Sequence, residues 1–523
     1  MSWIKNLLTM LLSTSIFLGG AEFGFRQFGT RGLLTYFDEQ TERALGNPIP
    51  AKAPGEYRIF IFGGSSAYGF PVADRYSITA WLRKSFPHLL PNKKISVVNC
   101  GWPGKGSHQA VEGAHTVIKY RPDLFIIYVG HNDFPTANRL YADNQLYRLN
   151  LQLTYRSAFY RYLQKRLVRI RKKIVYGKSG YPEKHFREEI IAQKVYKKAE
   201  VDDEEDRRIF ERYRENIEEI VRLAEEKGID VVFLSLASNL KVIPPAVSSH
   251  PKDLPADQLR DWEKLFEEGQ VLENQARFRE AEKSYLAASQ IDSTHAGLQY
   301  RLGTAAEKGG DYDTAKQAYV LARDLDRLPT RAKSEMNQIL YEIAQAHGMI
   351  FVDVAQMFDR LSPHGIISPE LIYDDVHPSI KGQQIIVDEI LHALHEHGKI
   401  APSDEWRWQD LEAVRNNPAK NQEWQVDGSE NAYQYILRGL HLWGRGDYSD
   451  CVNDLEKGIE LMPGFIEAYA FLGDAYFRLH QSGKATQAFQ KLNEKDTALA
   501  ELLLRKYPEL NQSYQQIIKG LAR

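Results

Sequence analysis

Short apolar runs alternate with longer segments of helical periodicity along most of the chain. Alternation of this kind predicts an α/β fold, in which a parallel sheet carries helices on both faces. Because the runs are continuously apolar, we expect each to form a strand that is buried on both sides. The runs lie at residues 58–62, 95–98, 124–129, 230–236 and 350–354. The clearest helical patterns between them are Ser77–Phe86, Ala110–Tyr120 and Arg208–Glu226.

A period of 34 residues interrupts this alternation between the fourth and the fifth apolar run. Small, aromatic and acidic residues recur at that spacing, and a looser version of the pattern lies near the C-terminus. The period resembles that of tetratricopeptide repeats, in which each unit is a pair of closely packed helices. Amphipathic helices that match by coincidence are the alternative. The matching pairs are Gly269 and Gly303, Ala281 and Ala315, Tyr285 and Tyr319, Ala288 and Ala322, Asp292 and Asp326, and, near the C-terminus, Gly439 and Gly473, Cys451 and Ala485, and Leu455 and Phe489.

Two repeats are fewer than the three that an independent stack usually needs. We therefore expect the inserted pair either to lean on the α/β domain or to stack with the C-terminal pair. Between these parts, Trp406, Trp408 and Trp424 predict a polar linker that packs on a neighbouring element. The predicted domains are an N-terminal segment 1–26, an α/β domain formed by 27–254 and 329–400, a helical insertion 255–328, the linker 401–428, and C-terminal repeats 429–523.

The composition is ordinary for a globular protein, since 43% of the 523 residues are hydrophobic and 26% are charged. A chain of this length is too long for one core, which agrees with several domains. The 67 basic and 69 acidic side chains give a net charge of −2. The chain therefore has no net positive charge that would attract nucleic acid as a partner. Cys100 and Cys451 are too few for a disulfide framework, and we expect both to be free thiols.

The N-terminus contains an uncharged stretch, Asn6–Ala21, that is rich in Leu, Ile and Phe. With its apolar neighbours it approaches the length of about 20 residues that a membrane-spanning helix needs. Lys5 before it favours an N-terminus inside and the bulk of the chain on the extracytoplasmic side. A cleaved secretory signal ending in the small residues Gly19–Ala21 and a buried core helix are the alternatives. We favour a single-pass anchor that is retained.

Residues 156–178 carry nine basic side chains and no acidic one, interleaved with apolar and aromatic residues. A basic amphipathic segment favours contact with a membrane surface or an acidic polymer. A helix that packs by its apolar stripe and exposes its basic side chains is the structural alternative.

Ser65, Asp374 and His377 carry the most informative chemistry. Ser65 follows the first apolar run, within Gly63–Gly69, at the carboxyl edge predicted for the sheet. Asp374 and His377 lie three residues apart, just before a helical pattern. A serine becomes a nucleophile when a histidine takes its proton, and a carboxylate holds that histidine in the required tautomer. A helix N-cap is the alternative role for Ser65.

Two further residues can stabilise negative charge that develops on a substrate oxygen. Asn132, within Gly130–Asp133, follows the third apolar run and carries a side-chain amide that can donate a hydrogen bond. Gly104 follows the second run and offers a backbone N–H that no side chain shields. Together with the Ser65 amide, these donors predict an oxyanion hole at the same edge of the sheet.

The order of these segments resembles the four sequence blocks of the SGNH (GDSL-type) hydrolases. The resemblance implies a flavodoxin-like, three-layer α/β/α domain. It also implies that Ser65 is the nucleophile and that Asp374 and His377 complete the triad. The Ser65 amide, Gly104 and Asn132 would then form the oxyanion hole. No cofactor and no metal ion are implied.

Other residues in or near these four segments are expected to have different roles. The chain departs from the family at Gly64, where Asp is common, although that Asp is not a triad member. Ser66 is a second hydroxyl, one position too late for the block, and Asp375 is expected in the turn rather than in the triad. His131 and Asn239 lie on the same edge as potential substrate-pocket residues, with a structural role as the alternative for His131.

The resemblance implies an enzyme that hydrolyses ester bonds, with an acylated carbohydrate or another envelope polymer as substrate. An O-acyltransferase that uses the same triad is a second hypothesis. A third is a membrane-tethered interaction protein whose repeats bind partner proteins and whose hydrolase fold is idle. Occupation of every triad position argues against the third. A protein partner at the repeats and a membrane at the anchor are compatible with all three.

Overall fold

The computed structural model describes residues 49–70, 73–134, 202–241, 244–367, 369–416, 428–446, 448–495, 500, 503–504 and 508–521, together with residues 153, 157 and 159–160. The predicted anchor lies outside these residues, as do Trp424 and nearly all of the basic segment 156–178. Among the helices of the described part, none is both long enough and apolar enough to cross a membrane.

Five parallel strands form the sheet of the described chain, in the order β2-β1-β3-β4-β5. The chain runs from the interior strand β1 to the edge at β2 and then returns to build the other side, so the winding reverses beside β1. Each strand coincides with a predicted apolar run, and the predicted α/β class is confirmed. The strands are β1 Glu56–Gly63, β2 Lys94–Gly101, β3 Leu124–Tyr128, β4 Asp230–Leu234 and β5 Ile350–Val352.

Strand β1 lies inside the main hydrophobic core. Its residues 59–62 are fully buried, because β1 has a strand on each side and helices cover both faces of the sheet. Its last residue, Gly63, lies so close to β3 that a Cβ atom there would sit 2.1 Å from the carbonyl oxygen of Tyr128. The close approach of β3 therefore fixes the carboxyl end of β1. Ser65 lies just beyond this end.

The helices fall into a sheet-covering set, an inserted set and a C-terminal set. Within the first set, α3 contacts both α12 and α13, and α5 contacts both α4 and α10. The helices with described bounds are α1 Ser65–Tyr68, α2 Ala73–Tyr76, α3 Ile78–Leu89, α4 Ser107–Val117, α5 Asp203–Lys227, α6 Ala256–Asn274, α7 Phe278–Ile291, α8 Ala296–Gly309, α9 Tyr312–Asp324, α10 Ser334–His347, α11 Val354–Leu361, α12 Ile380–Glu396, α13 Trp408–Arg415, α14 Gly428–Arg445, α15 Tyr448–Leu461, α16 Glu467–Arg478, α17 Ser482–Lys495 and α18 Pro508–Leu521.

The long helix α5 shows how the sequence sets its ends. The Asp202 side chain accepts a hydrogen bond from the Glu205 amide, and residues 203–206 are all acidic, which favours the positive end of the helix dipole. Gly228 ends the helix in the left-handed conformation, with φ +65°. One face carries buried apolar residues such as Ile217 and Val221, and this face packs on the sheet.

The inserted helices α6–α9 form two pairs, and one contact explains their 34-residue period. A Cβ atom at Gly269 would lie 2.4 Å from the ring of Tyr285, and one at Gly303 would lie 2.8 Å from the ring of Tyr319. In each pair, glycine lets the tyrosine of the second helix pack directly on the backbone of the first. Equivalent contacts recur near the C-terminus between Gly439 and Leu455 and between Gly473 and Phe489.

The insertion leans on the sheet domain, which was one of the two arrangements expected. Leu240, which follows β4, joins Ala306 and Tyr319 of the insertion in one buried cluster. Polar contacts reinforce it, because the Tyr300 hydroxyl donates to the carbonyl oxygen of Lys241 at 2.6 Å. Lys316 of α9 also forms an ion pair with Asp359 of α11, at 2.7 Å. The helices are thus placed beside the carboxyl edge of β4 and β5.

The stretch assigned to a linker packs on α3 where it is described. Trp406 and Leu411 are buried in the main core, and the Arg407 amide donates to the carbonyl oxygen of Leu89 at 2.9 Å. Its tryptophans therefore make residues 401–416 part of the cover of the sheet domain. Cys100 and Cys451 are both buried and free, as predicted.

Candidate active site

The predicted site residues lie where the carboxyl ends of neighbouring strands meet. Ser65 begins α1 directly after β1, and Asn132 follows β3, which pairs with β1. Gly104 follows β2, the partner of β1 on its other side. Parallel strands place these loops at one edge of the sheet, beside the point where the winding reverses.

Ser65, His377 and Asp374 form one continuous hydrogen-bonded row. Ser65 Oγ lies 2.6 Å from His377 Nε2, and His377 Nδ1 lies 2.5 Å from Asp374 Oδ2. A carboxylate can only accept, so Nδ1 carries the proton and Nε2 is left to accept from the serine hydroxyl. The side chains are 14% exposed at His377 and 4% at Asp374, so the row is nearly closed to solvent at its acidic end.

The spacing of Asp374 and His377 builds the turn that aligns them. Asp374 Oδ1 accepts hydrogen bonds from the amides of Val376, at 3.0 Å, and of His377, at 2.7 Å. The second carboxylate oxygen is then directed at the imidazole. The turn closes where the Tyr373 amide donates to the carbonyl oxygen of His377, at 3.2 Å. A side chain that organises its own loop in this way is an Asx-type turn.

The pKa of His377 is raised above its usual value. Burial acts to lower the pKa, but the charge of Asp374 and its hydrogen bond to the ring outweigh burial, and the charge of Asp375 acts in the same direction. The ring is also held by aromatic neighbours, with the Phe70 ring 4.9 Å away and the Tyr373 ring stacked at 5.9 Å. The base is therefore fixed in orientation and biased toward accepting a proton.

Ser66 has a structural role that the sequence analysis missed. Its hydroxyl donates to the carbonyl oxygen of Val376 at 2.9 Å, and its own carbonyl oxygen accepts from the Gln383 amide at 3.3 Å. Ser66 is 4% exposed. The second hydroxyl of the Ser-Ser pair is thus committed to joining the loop of Ser65 to the loop of His377.

The amide of Asn132 lies against the backbone just before Ser65. A Cβ atom at Gly64 would sit 2.3 Å from Asn132 Nδ2, so any side chain at position 64 would displace this amide. Asn132 Nδ2 donates to the carbonyl oxygen of Lys105 at 3.1 Å, which links it to the loop that contains Gly104. Gly104 is exposed and adopts φ +75°, a conformation that favours glycine. Glycine at position 64 therefore leaves open the space that the Asn132 amide approaches.

His131 and Asp133, on either side of Asn132, are both buried and bonded. His131 Nδ1 accepts from the amide of Ala332 at 3.2 Å, and burial, followed by the nearby His377, lowers the pKa of His131 to about 3. Asp133 accepts from both the amide and the hydroxyl of Ser107 at the start of α4, and burial raises the pKa of Asp133 to about 6. Both side chains fix the loop of Asn132 in place.

Asn239 supports the loop of Asp374 and His377 from behind. The side chain is fully buried, with Nδ2 donating to the carbonyl oxygen of Ile372 at 3.1 Å and Oδ1 accepting from the Lys241 amide at 3.1 Å. The Asn239 backbone amide donates to the carbonyl oxygen of Asp375 at 2.9 Å. The expected place of Asn239 in the substrate pocket is therefore corrected, because burial keeps its amide away from any bound molecule.

Three half-buried aromatic side chains beside the row of Ser65, His377 and Asp374 were not predicted. Tyr68 and Phe70 follow Ser65 closely, and Trp102 lies between β2 and Gly104. The rings of Tyr68 and Trp102 are 6.4 Å apart, and Phe70 contacts His377. The feature of the sequence that could have identified them is their position in the same short segments as Ser65 and Gly104.

The only cluster in the described residues with the donor types and spacing of a metal site is Asp374, Asp375 and His377, whose ligand atoms lie within 4.8 Å of one another. The 2.5 Å separation of Asp374 Oδ2 and His377 Nδ1 is that of a hydrogen bond. An ion with bonds of about 2.1 Å to each would have to hold the two atoms further apart in tetrahedral geometry. The two atoms therefore belong to the hydrogen-bonded row of Ser65, His377 and Asp374.

The chain has no match among protein-family models or among curated proteins. Among solved structures it is similar to a GDSL-like lipase from Bacteroides thetaiotaomicron, at 13% identity over 69% of this chain and 98% of that chain, with a TM-score of 0.30. A lipase/acylhydrolase from Enterococcus faecalis is 11% identical over 67% and 97%, with a TM-score of 0.29.

An acetylxylan esterase from Geobacillus stearothermophilus is 12% identical over 65% of this chain and 94% of that chain, with a TM-score of 0.30. At these identities and TM-scores, a likeness carries no conclusion about the reaction. Conclusions about the reaction rest instead on the contacts of Ser65, His377 and Asp374.

Proposed function

We propose that this protein is a serine esterase of the SGNH type, in which Ser65 attacks the carbonyl carbon of an ester. The observation that carries the proposal is the row from Ser65 Oγ through His377 to Asp374, with heavy-atom distances of 2.6 and 2.5 Å. A serine hydroxyl is a weak nucleophile by itself. A base in hydrogen-bond contact, itself oriented by a carboxylate, is the arrangement that activates it.

In the first half of the reaction, the Ser65 hydroxyl proton moves to His377 Nε2 while Oγ bonds to the carbonyl carbon. Asp374 stabilises the imidazolium that results. The carbonyl oxygen becomes an oxyanion, for which the Ser65 and Gly104 amides and the Asn132 side chain are the proposed donors. The bond to the alcohol oxygen then breaks, and the alcohol leaves with the proton from His377.

In the second half, water attacks the acyl-enzyme and His377 takes its proton. Breakage of the bond to Oγ releases the carboxylic acid, and His377 returns a proton to Ser65. If a second hydroxyl compound replaced water in this step, the same groups would transfer the acyl chain to it. Supplying candidate alcohols and measuring the transferred product separates a transferase from a hydrolase.

We propose an acylated carbohydrate as the substrate class. Tyr68, Phe70 and Trp102 support it, because aromatic rings that are half exposed beside a catalytic row offer apolar faces on which a sugar ring can lie.

The test uses the full-length protein in detergent and a fluorophosphonate serine probe, with the adduct located by mass spectrometry. We expect labelling at Ser65 that Ser65→Ala and His377→Ala both abolish. Ser85→Ala is the matched control, because it removes a serine hydroxyl that is fully buried and donates to the carbonyl oxygen of Trp81 within α3. Release of acetate from acetylated xylo-oligosaccharides then tests the substrate class. A folded wild-type protein that takes no label at Ser65 would contradict the proposal.

We further propose that residues 6–21 anchor the protein in a membrane with the sheet domain on the extracytoplasmic side, and that the helix pairs bind a protein partner. The apolar run in the sequence supports the first proposal. Exposed apolar side chains on the inserted helices, at Val271, Leu286 and Leu321, support the second. Extraction at alkaline pH, compared between the full chain and one that starts at residue 27, tests the anchor.

A further inference from the structure

A second carboxylate, that of Asp375, lies beside the catalytic row. Ligand-type atoms of Asp374, Asp375 and His377 lie within 4.8 Å of one another, and Asp375 is 8% exposed. Both ring nitrogens of His377 are already bonded, to Ser65 and to Asp374. Asp375 therefore acts on the imidazole through its charge, at a distance where charges in a protein shift one another's protonation.

The Asp375 carboxylate is held by the chain as it leaves the inserted helices. We call Thr330–Ala332 the return segment, since it lies between α9 and α10. Thr330 Oγ1 donates to Asp375 Oδ2 at 3.0 Å. Arg331 Nη1 donates to the carbonyl oxygen of Asn239 at 2.8 Å, and the Asn239 amide in turn donates to the Asp375 carbonyl oxygen at 2.9 Å. The return segment thus supports both the side chain and the backbone of Asp375.

The return segment also contacts the loop of the proposed oxyanion donor. The amide of Ala332 donates to Nδ1 of His131, the residue directly before Asn132, at 3.2 Å. Thr330 therefore bonds to the loop that carries His377, and Ala332 bonds to the loop that carries the Asn132 amide. Arg331, between them, reaches the first of these loops through Asn239.

Asp326 lies between α9 and the return segment, at the repeat position equivalent to Asp292, and it ties this part of the chain to residues that precede the insertion. Its carboxylate accepts from the amides of Ala246, at 3.0 Å, Val247, at 3.1 Å, and Leu328, at 2.9 Å. Asp326 is 3% exposed. Asp324, the last residue of α9, accepts a hydrogen bond from the amide of Ser334 at 3.0 Å, so the return segment is held between α9 and the start of α10.

Arg331 supplies the counter-charge. It is 2% exposed, and although burial lowers the pKa of its guanidinium, the charges of Asp375 and Asp326 favour the charged form. Burial lowers the pKa of His131 to about 3 and raises that of Tyr373, so both are neutral near pH 7. The groups that face His377 are Asp374, Asp375, His131 and Tyr373, and those that face Asp375 are Arg331, Tyr373 and His377.

We propose that Asp375 is a positioning residue that biases His377 toward its protonated form, and that Thr330 on the return segment sets the strength of this bias. The inference rests on the proposed esterase function. The hydrogen bond from Thr330 draws part of the negative charge of Asp375 away from the imidazole. Movement of α9 that lengthens or shortens this bond changes the pH at which His377 becomes an effective base. The inserted helices are thereby coupled to catalysis without touching the substrate.

The test is the pH dependence of fluorophosphonate labelling of the full-length protein. Labelling requires neutral His377, so its acid limb reports the protonation of this residue. We expect Asp375→Asn to move the limb to lower pH by about one unit, the size expected for loss of a charge at this distance. Thr330→Val should move it the other way by a smaller amount, and Thr330→Ser, which keeps the hydroxyl, should match the wild type.

A double-substitution cycle decides whether Thr330 acts through Asp375. In the Asp375→Asn background, Thr330→Val should no longer move the limb. Asp388→Asn is the matched control for charge removal, because Asp388 pairs with Arg415 on the surface at 2.7 Å, and it should leave the limb in place.

An unchanged limb in Asp375→Asn, or an equal Thr330→Val shift in both backgrounds, would overturn the inference. If Asp375→Asn fails to fold, Thr330→Val and Thr330→Ser decide alone, and identical limbs for the two overturn it. Failure of wild-type labelling at Ser65 would instead remove the proposed function. The two failures are therefore distinct.

Discussion

The hydroxyl of Ser66 donates a hydrogen bond to the carbonyl oxygen of Val376, a residue 310 positions later in the chain. Ser66 follows the proposed nucleophile and Val376 precedes the proposed base. The bond therefore joins the two loops whose separation sets the distance between Ser65 and His377. Gln383 adds a second link, since its amide donates to Ser66 and accepts from the Ile78 amide. The row of Ser65, His377 and Asp374 is therefore held from the side as well as along its length.

Ser66→Ala should lower the rate of labelling at Ser65 by about 10-fold, because small misplacement of a reacting pair is costly. The free energy of unfolding should fall by about 1 kcal/mol with the lost bond. Labelling rate and thermal unfolding measure the two effects. Ser85→Ala removes a hydroxyl of similar burial and should lower stability while leaving the labelling rate unchanged. Equal labelling of both variants would show that the loop contact has no catalytic effect.

The raised pKa of His377 predicts an acid limb of activity above the usual histidine value of about 6.5. Activity requires the neutral imidazole, so it should rise with pH through the raised pKa and then level off. Asp374→Asn removes the charge responsible and should lower the plateau by roughly 10³- to 10⁴-fold, because the imidazolium loses its partner and the ring its tautomer. Hydrolysis of p-nitrophenyl acetate between pH 5 and 9 provides the measurement. A wild-type limb well below pH 6 would disagree with this account.

Gly64→Ala should disable the proposed oxyanion donor, since its Cβ atom would lie 2.3 Å from Asn132 Nδ2. Displacing one such donor costs about 3 kcal/mol of barrier, or roughly 10²-fold in rate. Asn132→Ala should give a similar loss on its own. The double substitution should be no slower than Asn132→Ala, because the amide to be displaced is already gone. Additive losses would mean that Gly64 acts in another way.

Gly269→Ala should destabilise the inserted helices, because the new methyl group meets the Tyr285 ring at 2.4 Å. Overpacking of this kind costs about 1–3 kcal/mol. Gly483→Ala on α17 is the control, since a Cβ atom there meets nothing within 4 Å, and alanine should be neutral or stabilising in that helix. Differential scanning calorimetry of the two variants gives the comparison. Equal transition temperatures would contradict the close helix contact.

Trp102→Ala should raise the KM for acetylated oligosaccharides several-fold and change the kcat/KM for p-nitrophenyl acetate much less. The reason is that the indole is proposed to contact the sugar and not the acyl group, and one lost aromatic contact is worth about 1 kcal/mol. Initial-rate kinetics with both substrates separates the effects. A proportional loss on both would place Trp102 in the catalytic support rather than in the sugar site.

The sheet could be predicted because each strand is a continuous apolar run. A strand that is buried on both faces of a sheet requires apolar side chains at nearly every position. The ends of helices and strands differ from the prediction by a few residues. Helix α4 begins at Ser107, three residues before the predicted start at Ala110, because the Asp133 carboxylate accepts from the Ser107 amide and extends the first turn. Strand β4 ends at Leu234 rather than residue 236, since pairing with the short strand β5 stops there.

The spacing of Asp374 and His377 was informative because the turn is local, and one carboxylate reaches both the amide and the ring of the histidine. Contacts across the chain carried no such signal. Thr330 and Asp375 are 45 residues apart, and nothing in either segment announces the pairing. The burial of Asn239 has no sequence signal for a related reason, because its place at the carboxyl edge of the sheet does not reveal that the loop of Asp374 and His377 covers it.

The position of the insertion has a consequence for synthesis on the ribosome. Ser65 and His377 are 312 residues apart, with the inserted helices and β5 between them. At about 5–20 residues per second, His377 is made about 15 to 60 s after Ser65. During that interval the edge of β4 that will receive β5 is unpaired, and Ser65 has no base. A nascent or prematurely terminated chain therefore carries an inert serine, and its exposed strand edge is open to association with other chains.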